Sequence, residues 1–151
     1  ELAISEGNGD DIINPGESVQ LLVELNNDGD WSDAYDVSST LTIIDNEYID
    51  ISNSNADYGS INSGVSVMND MGPYTFSVPD DAPLGFLSFV LEVTSSTSTE
   101  FEYTTTLPIT LPVTLFQSGY PYGTSFEVAS SPLVIDFDDD GDDEIVFGDK
   151  N

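Results

Sequence analysis

Apolar and polar residues alternate through most of the first 116 residues, and this period of two narrows the possible folds more than any other feature. The longest run covers residues 101–115, in which every odd-numbered residue except Thr105 is apolar. Shorter runs of the same kind cover residues 19–25, 37–43, 74–78 and 87–93. Alternation predicts strands with one buried face, and no segment carries the period of an amphipathic helix. The sequence therefore predicts an all-β protein.

Turn signals separate these runs at short, regular intervals, which is typical of an antiparallel β-sandwich of the immunoglobulin-like type. We predict that residues 1–116 form this sandwich. Pro108 and Pro112 cannot donate ladder hydrogen bonds, so the last strand should lie at a sheet edge or pass between sheets. A further short strand is expected at residues 48–51, before a turn at residues 52–55. Trp31 lies in a polar loop, either as a cover over the end of the sandwich or as an exposed contact residue.

The charge balance is extreme, because 29 acidic residues stand against one basic residue, Lys150, for a formal net charge of −28. The sequence contains no Arg, His or Cys, so disulfides are impossible and salt bridges are almost impossible. Each carboxylate must therefore be hydrated, hydrogen-bonded or bound to a metal ion. Electrostatic repulsion excludes nucleic acid and anionic membrane surfaces as partners. No apolar run is long enough for membrane insertion.

An acidic stretch near the end of the sequence has the spacing of a calcium loop. Asp136, Asp138 and Asp140 alternate, Gly141 allows a sharp bend, and Glu144 closes the run. Ca²⁺ prefers six to eight oxygen ligands at about 2.3–2.6 Å, and alternating carboxylates direct several oxygens at one centre. The alternative is a solvated acidic turn. We predict that residues 117–151 form a linker followed by a hairpin of strand, calcium loop and strand.

A second acidic stretch, residues 6–17, matches the ligand spacing of a twelve-residue calcium loop. The predicted ligands at positions one, three, five, seven and twelve are Glu6, Asn8, Asp10, the carbonyl of Ile12, and Glu17. Two features depart from the usual pattern: the first position is Glu rather than Asp, and Asp11 stands where Gly is expected. The alternative is a turn rich in Gly and Pro between two strands.

Residues 7–17, Gly-Asn-Gly-Asp-Asp-Ile-Ile-Asn-Pro-Gly-Glu, followed by residues 18–27 and Gly29, resemble the entry of CARDB-like, immunoglobulin-like domains of secreted bacterial surface proteins. The resemblance covers residues 1–116. It implies an accessory domain that accompanies surface proteases and adhesins and is not itself catalytic.

Residues 130–148 look like the calcium-binding start of an FG-GAP or VCBS-type propeller blade. This resemblance implies that Asp136, Asp138, Asp140 and Glu144 bind Ca²⁺ through their side chains and Asp142 through its backbone carbonyl. A propeller needs several four-stranded blades, and this sequence carries half of one. Either the rest of the propeller has been removed or the hairpin serves another use. Because the sequence begins without an initiator Met, we expect a processed or excised piece.

An enzyme is the function class that the composition favours least. Without His, Cys and Arg, the commonest general bases, thiol nucleophiles and phosphate clamps are missing. Two carboxylates could still hydrolyse a glycoside, but no sequence feature marks a pocket around such a pair. We therefore expect a protein that is not an enzyme.

A structural module is the class that we expect, located outside the cell or on its surface and stabilised by Ca²⁺. An edge strand and an unpaired hairpin are the parts required for strand addition between copies, which can build a filament. The partners would be other copies of the chain or neighbouring domains of a larger chain.

An adhesion or carbohydrate-binding accessory module of a larger secreted protein is the alternative. Trp31, Tyr120, Tyr122 and Phe126 could stack on sugar rings, in which case glycans would be the partners. These aromatic residues could equally serve to pack the linker.

Overall fold

The computed structural model of the chain describes residues 2–4, 11–46, 48–98, 101–116, 127–128, 130–135 and 144–148. For residues 2–4 and for Glu144 it describes the backbone only. The chain divides into two compact units, Glu1–Ser118 and Gly119–Asn151, which we call the first and second units.

Strands make up the regular secondary structure of the described residues, among which no helix occurs, so the all-β prediction is confirmed. Within those residues, no helix is long and apolar enough to cross a membrane. The strands of the first unit are β1 (Leu2–Ile4), β2 (Ser18–Asn26), β3 (Ala34–Ile44), β4 (Asp50–Asn53), β5 (Asn55–Ile61), β6 (Ser66–Met68), β7 (Tyr74–Ser77), β8 (Gly85–Ser96) and β9 (Glu102–Val113). The strands of the second unit are β10 (Leu133–Ile135) and β11 (Glu144–Val146).

These strands form antiparallel sheets. In the first unit, one sheet has the order β1-β2-β7-β4, with β6 also paired to β2, and the other has the order β5-β3-β8-β9. In the second unit, β10 pairs with β11, from Leu133 opposite Val146 to Ile135 opposite Glu144. The two predicted strands of the tail are therefore confirmed as a pair.

The alternation of the sequence places one face of each sheet of the first unit in a shared core. On β2, Val19, Leu21 and Val23 are buried; on β8, the buried residues are Leu87, Phe89 and Leu91; and on β9 they are Ile109, Leu111 and Val113. Fully burying one large apolar side chain stabilises a fold by about 1.5–3 kcal/mol. The two sheets also contact each other through Phe76 and Phe89, whose ring centroids are 5.2 Å apart. The result is a β-sandwich-like arrangement.

A line of hydrogen-bonded polar groups crosses this apolar core. The hydroxyl of Tyr58 donates to the carbonyl oxygen of Val23 at 3.1 Å and lies 3.3 Å from the hydroxyl of Tyr74. The hydroxyl of Tyr74 also contacts that of Ser39. Because each hydroxyl has one proton to give, the donors must run in one direction, from Ser39 to Tyr74 to Tyr58 to Val23. Both sheets contribute to this line, so it fixes their relative register.

The side chain of Asn69 forms hydrogen bonds to β2 where strand pairing is interrupted. Between β6 and β7 the pairing partners on β2 jump from Glu24 opposite Met68 to Leu21 opposite Tyr74, so three extra residues interrupt the ladder. The buried side chain of Asn69 accepts a hydrogen bond from the amide of Val23 at 2.7 Å and donates to the carbonyl of Leu21 at 3.5 Å. These bonds replace the missing ladder contacts, since a buried backbone amide without a partner would cost stability.

The prediction of a turn at residues 52–55 is wrong. Ile51 of β4 pairs with Phe76 in one sheet, whereas Ala56 of β5 pairs with Ser39 in the other. The chain therefore passes from one sheet to the other at Ser54, whose carbonyl accepts a hydrogen bond from the amide of Leu41 at 2.7 Å. The residues at this crossing are polar, as residues of a turn usually are. Composition therefore does not distinguish a crossing between sheets from a turn.

Strand β9 forms one edge of its sheet, as Pro108 and Pro112 predicted. Just beyond the strand, the amide of Thr114 points outward and donates to the carbonyl of Ile13 at 3.0 Å. Backbone groups alternate in direction along a strand, so the even-numbered residues of β9 point their amide positions away from β8. Pro108 and Pro112 both occupy outward positions. The outer edge therefore lacks two of its possible donors.

Candidate functional site

The end of the acidic stretch at residues 6–17 lies against the end of β9. Ile13 is buried and forms a parallel bridge with Val113. The adjacent turn, Asn14-Pro15-Gly16-Glu17, has Pro at its second position and Gly at its third, with φ of 91° at Gly16. These are the residues and the left-handed conformation of a type II turn. The predicted alternative for this stretch, a Gly/Pro turn, is therefore present at residues 14–17.

The carboxylate of Glu17 closes this turn. Its Oε2 accepts a hydrogen bond from the backbone amide of Asn14 at 2.9 Å. On the other side of the turn, the amide of Gly16 donates to the carbonyl of Val78 at 2.9 Å, and the amide of Val78 donates to the carbonyl of Glu17 at 2.8 Å. The predicted ligand Glu17 is thus held in a fixed position by the backbone around it.

The side chain of Asn14 fastens the turn to the residues that follow β9. Its Nδ2 donates to the carbonyl of Thr114 at 2.8 Å and to the carbonyl of Phe116 at 3.0 Å. We call Thr114, Leu115 and Phe116 the exit segment. One amide group therefore joins the acidic stretch to the exit segment with two hydrogen bonds.

A second carboxylate, which the sequence did not single out, borders the same turn. A methyl group added to Gly16 would lie 2.6 Å from Oδ1 of Asp80. The carboxylate of Asp80 therefore stands directly beside the turn that Glu17 closes. Asp80 is 63 positions after Glu17 in the sequence, so no local spacing rule could have grouped them.

The remaining predicted calcium ligands are outside the described side chains. Among the predicted ligands in residues 6–17, the structure describes Ile12, which is half-buried, and Glu17. Glu6, Asn8 and Asp10 lie outside the described residues, as do Asp136, Asp138, Asp140 and Asp142, and Glu144 is described only as the first residue of β11. Among the described side chains, no group of three or more His, Cys, Asp or Glu could hold a metal ion. Both calcium loops remain predictions.

Two exposed aromatic residues line a groove at one end of the first unit. Trp31 is 71% exposed and Tyr103 is 60% exposed, and both line a groove of about 220 Å³ together with Ser32, Ser95 and Thr97. We call this the Trp31 groove. Of the predicted sugar-stacking residues, Trp31 is described as an exposed residue, whereas Tyr120, Tyr122 and Phe126 lie outside the described residues.

The alternation of the sequence predicts the wrong environment for Tyr103. It has the same parity on β9 as the buried residues Ile109 and Leu111, so alternation assigns it to the core face. Leu107, which has the same parity and lies between Tyr103 and Ile109, is 41% exposed. Residues on the core face of β9 thus become progressively more exposed towards the β8–β9 turn. The alternation of one strand does not show where along its length the core ends.

Comparison with known proteins gives no family assignment. No protein-family model matches the chain, and no curated protein is significantly similar to it in sequence.

Proposed function

We propose that this chain is a non-catalytic structural module that works outside the cell and is stabilised by Ca²⁺. The observation that carries the proposal is the pair of hydrogen bonds from Asn14 to the exit segment. Asn14 lies between Ile12 and Glu17, which are two of the predicted calcium ligands. Ordering of residues 6–17 by an ion would therefore also order the residues through which the chain leaves the β-sandwich-like unit.

The electrostatics support a need for bound cations. The formal net charge is −28, and Lys150 is the sole basic side chain in the sequence. Self-repulsion of this size destabilises a compact state, and a single lysine offsets little of it. A divalent ion bound by several carboxylates would lower this repulsion and would stabilise the folded state by mass action. Ca²⁺ is the cation whose preference for oxygen ligands suits this composition.

The order of the strands supports an immunoglobulin-like assignment. Constant-type immunoglobulin domains place strands A, B, E and D in one sheet and C, F and G in the other. The orders β1-β2-β7-β4 and β3-β8-β9 follow that pattern when β6 and β7 are taken as one interrupted strand. The departure is β5, which continues β4 into the second sheet. The resemblance of residues 1–116 to CARDB-like domains agrees with this assignment.

Strand addition between copies is a part of the structural proposal for which β9 offers a limited surface. Towards the β8–β9 turn, the outward-pointing positions are Glu102, Thr104 and Thr106, which carry backbone donors. Farther along, Pro108 and Pro112 interrupt the row of donors. We propose that any added strand pairs with residues 102–106, and that the two prolines limit its length.

Thermal unfolding in the presence of Ca²⁺ or a chelator tests the calcium proposal. Free Ca²⁺ at about 100 times its dissociation constant should add about 2.7 kcal/mol to the free energy of unfolding. The variant Glu17→Gln keeps an oxygen that can accept from Asn14 but removes the charge, so it should lose a large part of this gain. Glu92→Gln, at an exposed position on β8, removes one charge elsewhere and should keep the gain. The same melting temperature in calcium and in chelator would disprove the calcium proposal.

A further inference from the structure

Trp31 is displayed by a loop whose backbone is held in place, although its side chain is left in solvent. The amide of Trp31 donates to the carbonyl of Asp28 at 3.0 Å. The side chain of Asn27 donates to the carbonyls of Ser32 and Ile61 at 2.9 and 3.0 Å, which spans the loop and ties it to β5. A loop fixed in this way presents its exposed ring with little further loss of backbone conformational entropy on binding.

A second loop supports the first. The hydroxyl of Ser63 donates to the carbonyl of Gly29 at 3.0 Å, and its amide donates to Oδ1 of Asp33 at 2.9 Å. The two loops approach so closely that a methyl group added to Gly64, where φ is 75°, would lie 3.7 Å from the Cα of Gly29. Trp31 therefore belongs to a pair of loops joined by hydrogen bonds, and Tyr103 lines the same groove from β9.

The chemistry of the groove indicates the class of ligand. Two exposed aromatic side chains offer apolar area, and the hydroxyl-bearing residues Ser32, Ser95 and Thr97 line the space with them. A pyranose ring has the matching surfaces, because its C–H faces are apolar and its edges carry hydroxyl groups that donate and accept hydrogen bonds. The volume of about 220 Å³ is below the about 300–1,000 Å³ of most small-molecule sites, which suits one ring of a longer chain better than a folded or bulky ligand.

The acidic residues around the groove affect which ligands, neutral or charged, it can bind. Asp33 belongs to the lining, and Asp28 and Asp30 lie in the same loop, so an anionic ligand would be repelled without a cation to pair with it. Oδ1 of Asp28 accepts from the amide of Asp30, and Oδ1 of Asp33 accepts from Ser63. These two carboxylates therefore shape the loops as well as repelling anions, and the aromatic and hydroxyl-bearing residues of the lining favour a neutral sugar.

We propose that the Trp31 groove binds a neutral oligosaccharide, with Trp31 and Tyr103 stacking on sugar rings and the surrounding hydroxyl groups holding the sugar hydroxyls. This role goes beyond the structural function and does not depend on calcium. It also places binding at the end of the first unit that carries the β8–β9 turn, whereas Ile13 pairs at the opposite end of β9.

The sole tryptophan of the chain provides a direct measurement, because its fluorescence reports on the groove alone. The full chain would be titrated with neutral hexasaccharides of glucose, xylose and mannose, and with hexagalacturonic acid and hexalysine as charged comparisons. We expect a saturable change in Trp31 emission with at least one neutral sugar, no change with hexagalacturonic acid, and retention of the neutral response in chelator. No response to any neutral sugar at millimolar concentration would overturn the proposal, as would a response to hexalysine alone that salt abolishes.

Variants locate the binding to the groove. Tyr103→Ala keeps the fluorophore and should weaken binding at least about tenfold, the equivalent of about 1.4 kcal/mol. Trp31→Ala, followed by calorimetry, should abolish binding. Phe86→Ala is the matched control, because Phe86 is 69% exposed and lies at the far end of β8, opposite Pro112. Equal affinity of the Tyr103→Ala and Phe86→Ala proteins would overturn the assignment even if a sugar binds, and neither result would bear on the calcium proposal.

Discussion

The side-chain nitrogen of Asn14 lies 2.8 Å from the carbonyl oxygen of Thr114, and this hydrogen bond joins residues that are 100 positions apart. Together with its second bond, to Phe116, it connects the turn before β2 to the exit segment. Neither carbonyl belongs to a strand. The two bonds therefore restrain backbone that the sheets leave unpaired.

Replacing Asn14 by Ala should destabilise the first unit by about 1–3 kcal/mol, because it removes two hydrogen bonds and leaves two carbonyls without that partner. Chemical denaturation would measure the loss. Asn62→Ala is the control, since Asn62 is an exposed residue for which a side-chain loss should change stability by less than about 0.5 kcal/mol. An Asn14→Ala protein as stable as the Asn62→Ala protein would show that the link is unimportant.

Gly16→Ala should destabilise the protein for two reasons. The left-handed φ of 91° is unfavourable for alanine, and the added methyl group would lie 2.6 Å from the carboxylate of Asp80. A cost of about 1–3 kcal/mol is expected for a residue held in such a region. Gly72→Ala is the matched control, because no atom lies within 4 Å of its added methyl group and its φ is not in the left-handed range. Equal unfolding free energies of the two variants would contradict the description of the turn.

The buried hydroxyl of Tyr58 should make stability fall at alkaline pH. Burial raises the pKa of Tyr58 far above its usual value, and its hydrogen bond to Tyr74 raises it further. Below about pH 10 both the folded and the unfolded chain keep this proton, so it causes no pH dependence. Above that pH the unfolded chain loses the proton while the folded protein retains it, and the free energy of unfolding falls by up to about 1.4 kcal/mol per pH unit.

The comparison that isolates Tyr58 is the difference between the wild type and Tyr58→Phe, measured by urea denaturation from neutral to alkaline pH. The variant will be less stable at neutral pH, because Tyr74 loses an acceptor and Val23 loses a donor. Its stability should nevertheless fall less steeply above about pH 10, since it lacks the buried group. Parallel curves for the two proteins would mean that Tyr58 ionises as readily in the folded state as in the unfolded chain.

Replacing Pro108 and Pro112 by Thr should increase self-association. Both prolines lie at outward positions of β9, and the change restores two backbone donors to an edge strand. Sedimentation velocity at about 0.5 M salt, where charge repulsion is screened, would measure the effect. The control is Thr110→Ser, which changes an outward position without adding a donor. No increase in association of the double variant over this control would show that the prolines do not protect the edge.

The alternation of apolar residues predicted the five strands with a regular buried face, because it depends only on which face of a strand is buried. It predicted β2, β3, β7, β8 and β9, in which buried residues follow each other at every second position. It missed β5, where Ala56 and Tyr58 alternate but Gly59, with φ of 64°, and a shift in pairing interrupt the period before Ile61. A bulge changes the parity of a strand, so one sequence alone does not show it.

The parts of the candidate sites that sequence could not predict depend on contacts between distant residues. Asn69 has no pattern that distinguishes it from a surface asparagine, although its side chain completes the pairing of β2. Tyr103 has the parity of a core residue but is 60% exposed. Asp80 borders the turn of Glu17 through the fold alone. The calcium loops follow from local spacing, and they stay predictions because most of their residues lie outside the described part of the chain.

The most direct test of the central claim is amide hydrogen exchange in the exit segment with Ca²⁺ and with chelator. The amide of Thr114 donates to Ile13 at 3.0 Å, and that of Phe116 donates to Oγ1 of Thr114 at 3.2 Å, so both report on this segment. The account predicts that Ca²⁺ slows exchange at Thr114 and Phe116 more than at Leu91 in the core, and that Asn14→Ala removes the excess. The same exchange rates at Thr114 and Phe116 with and without Ca²⁺ would contradict it.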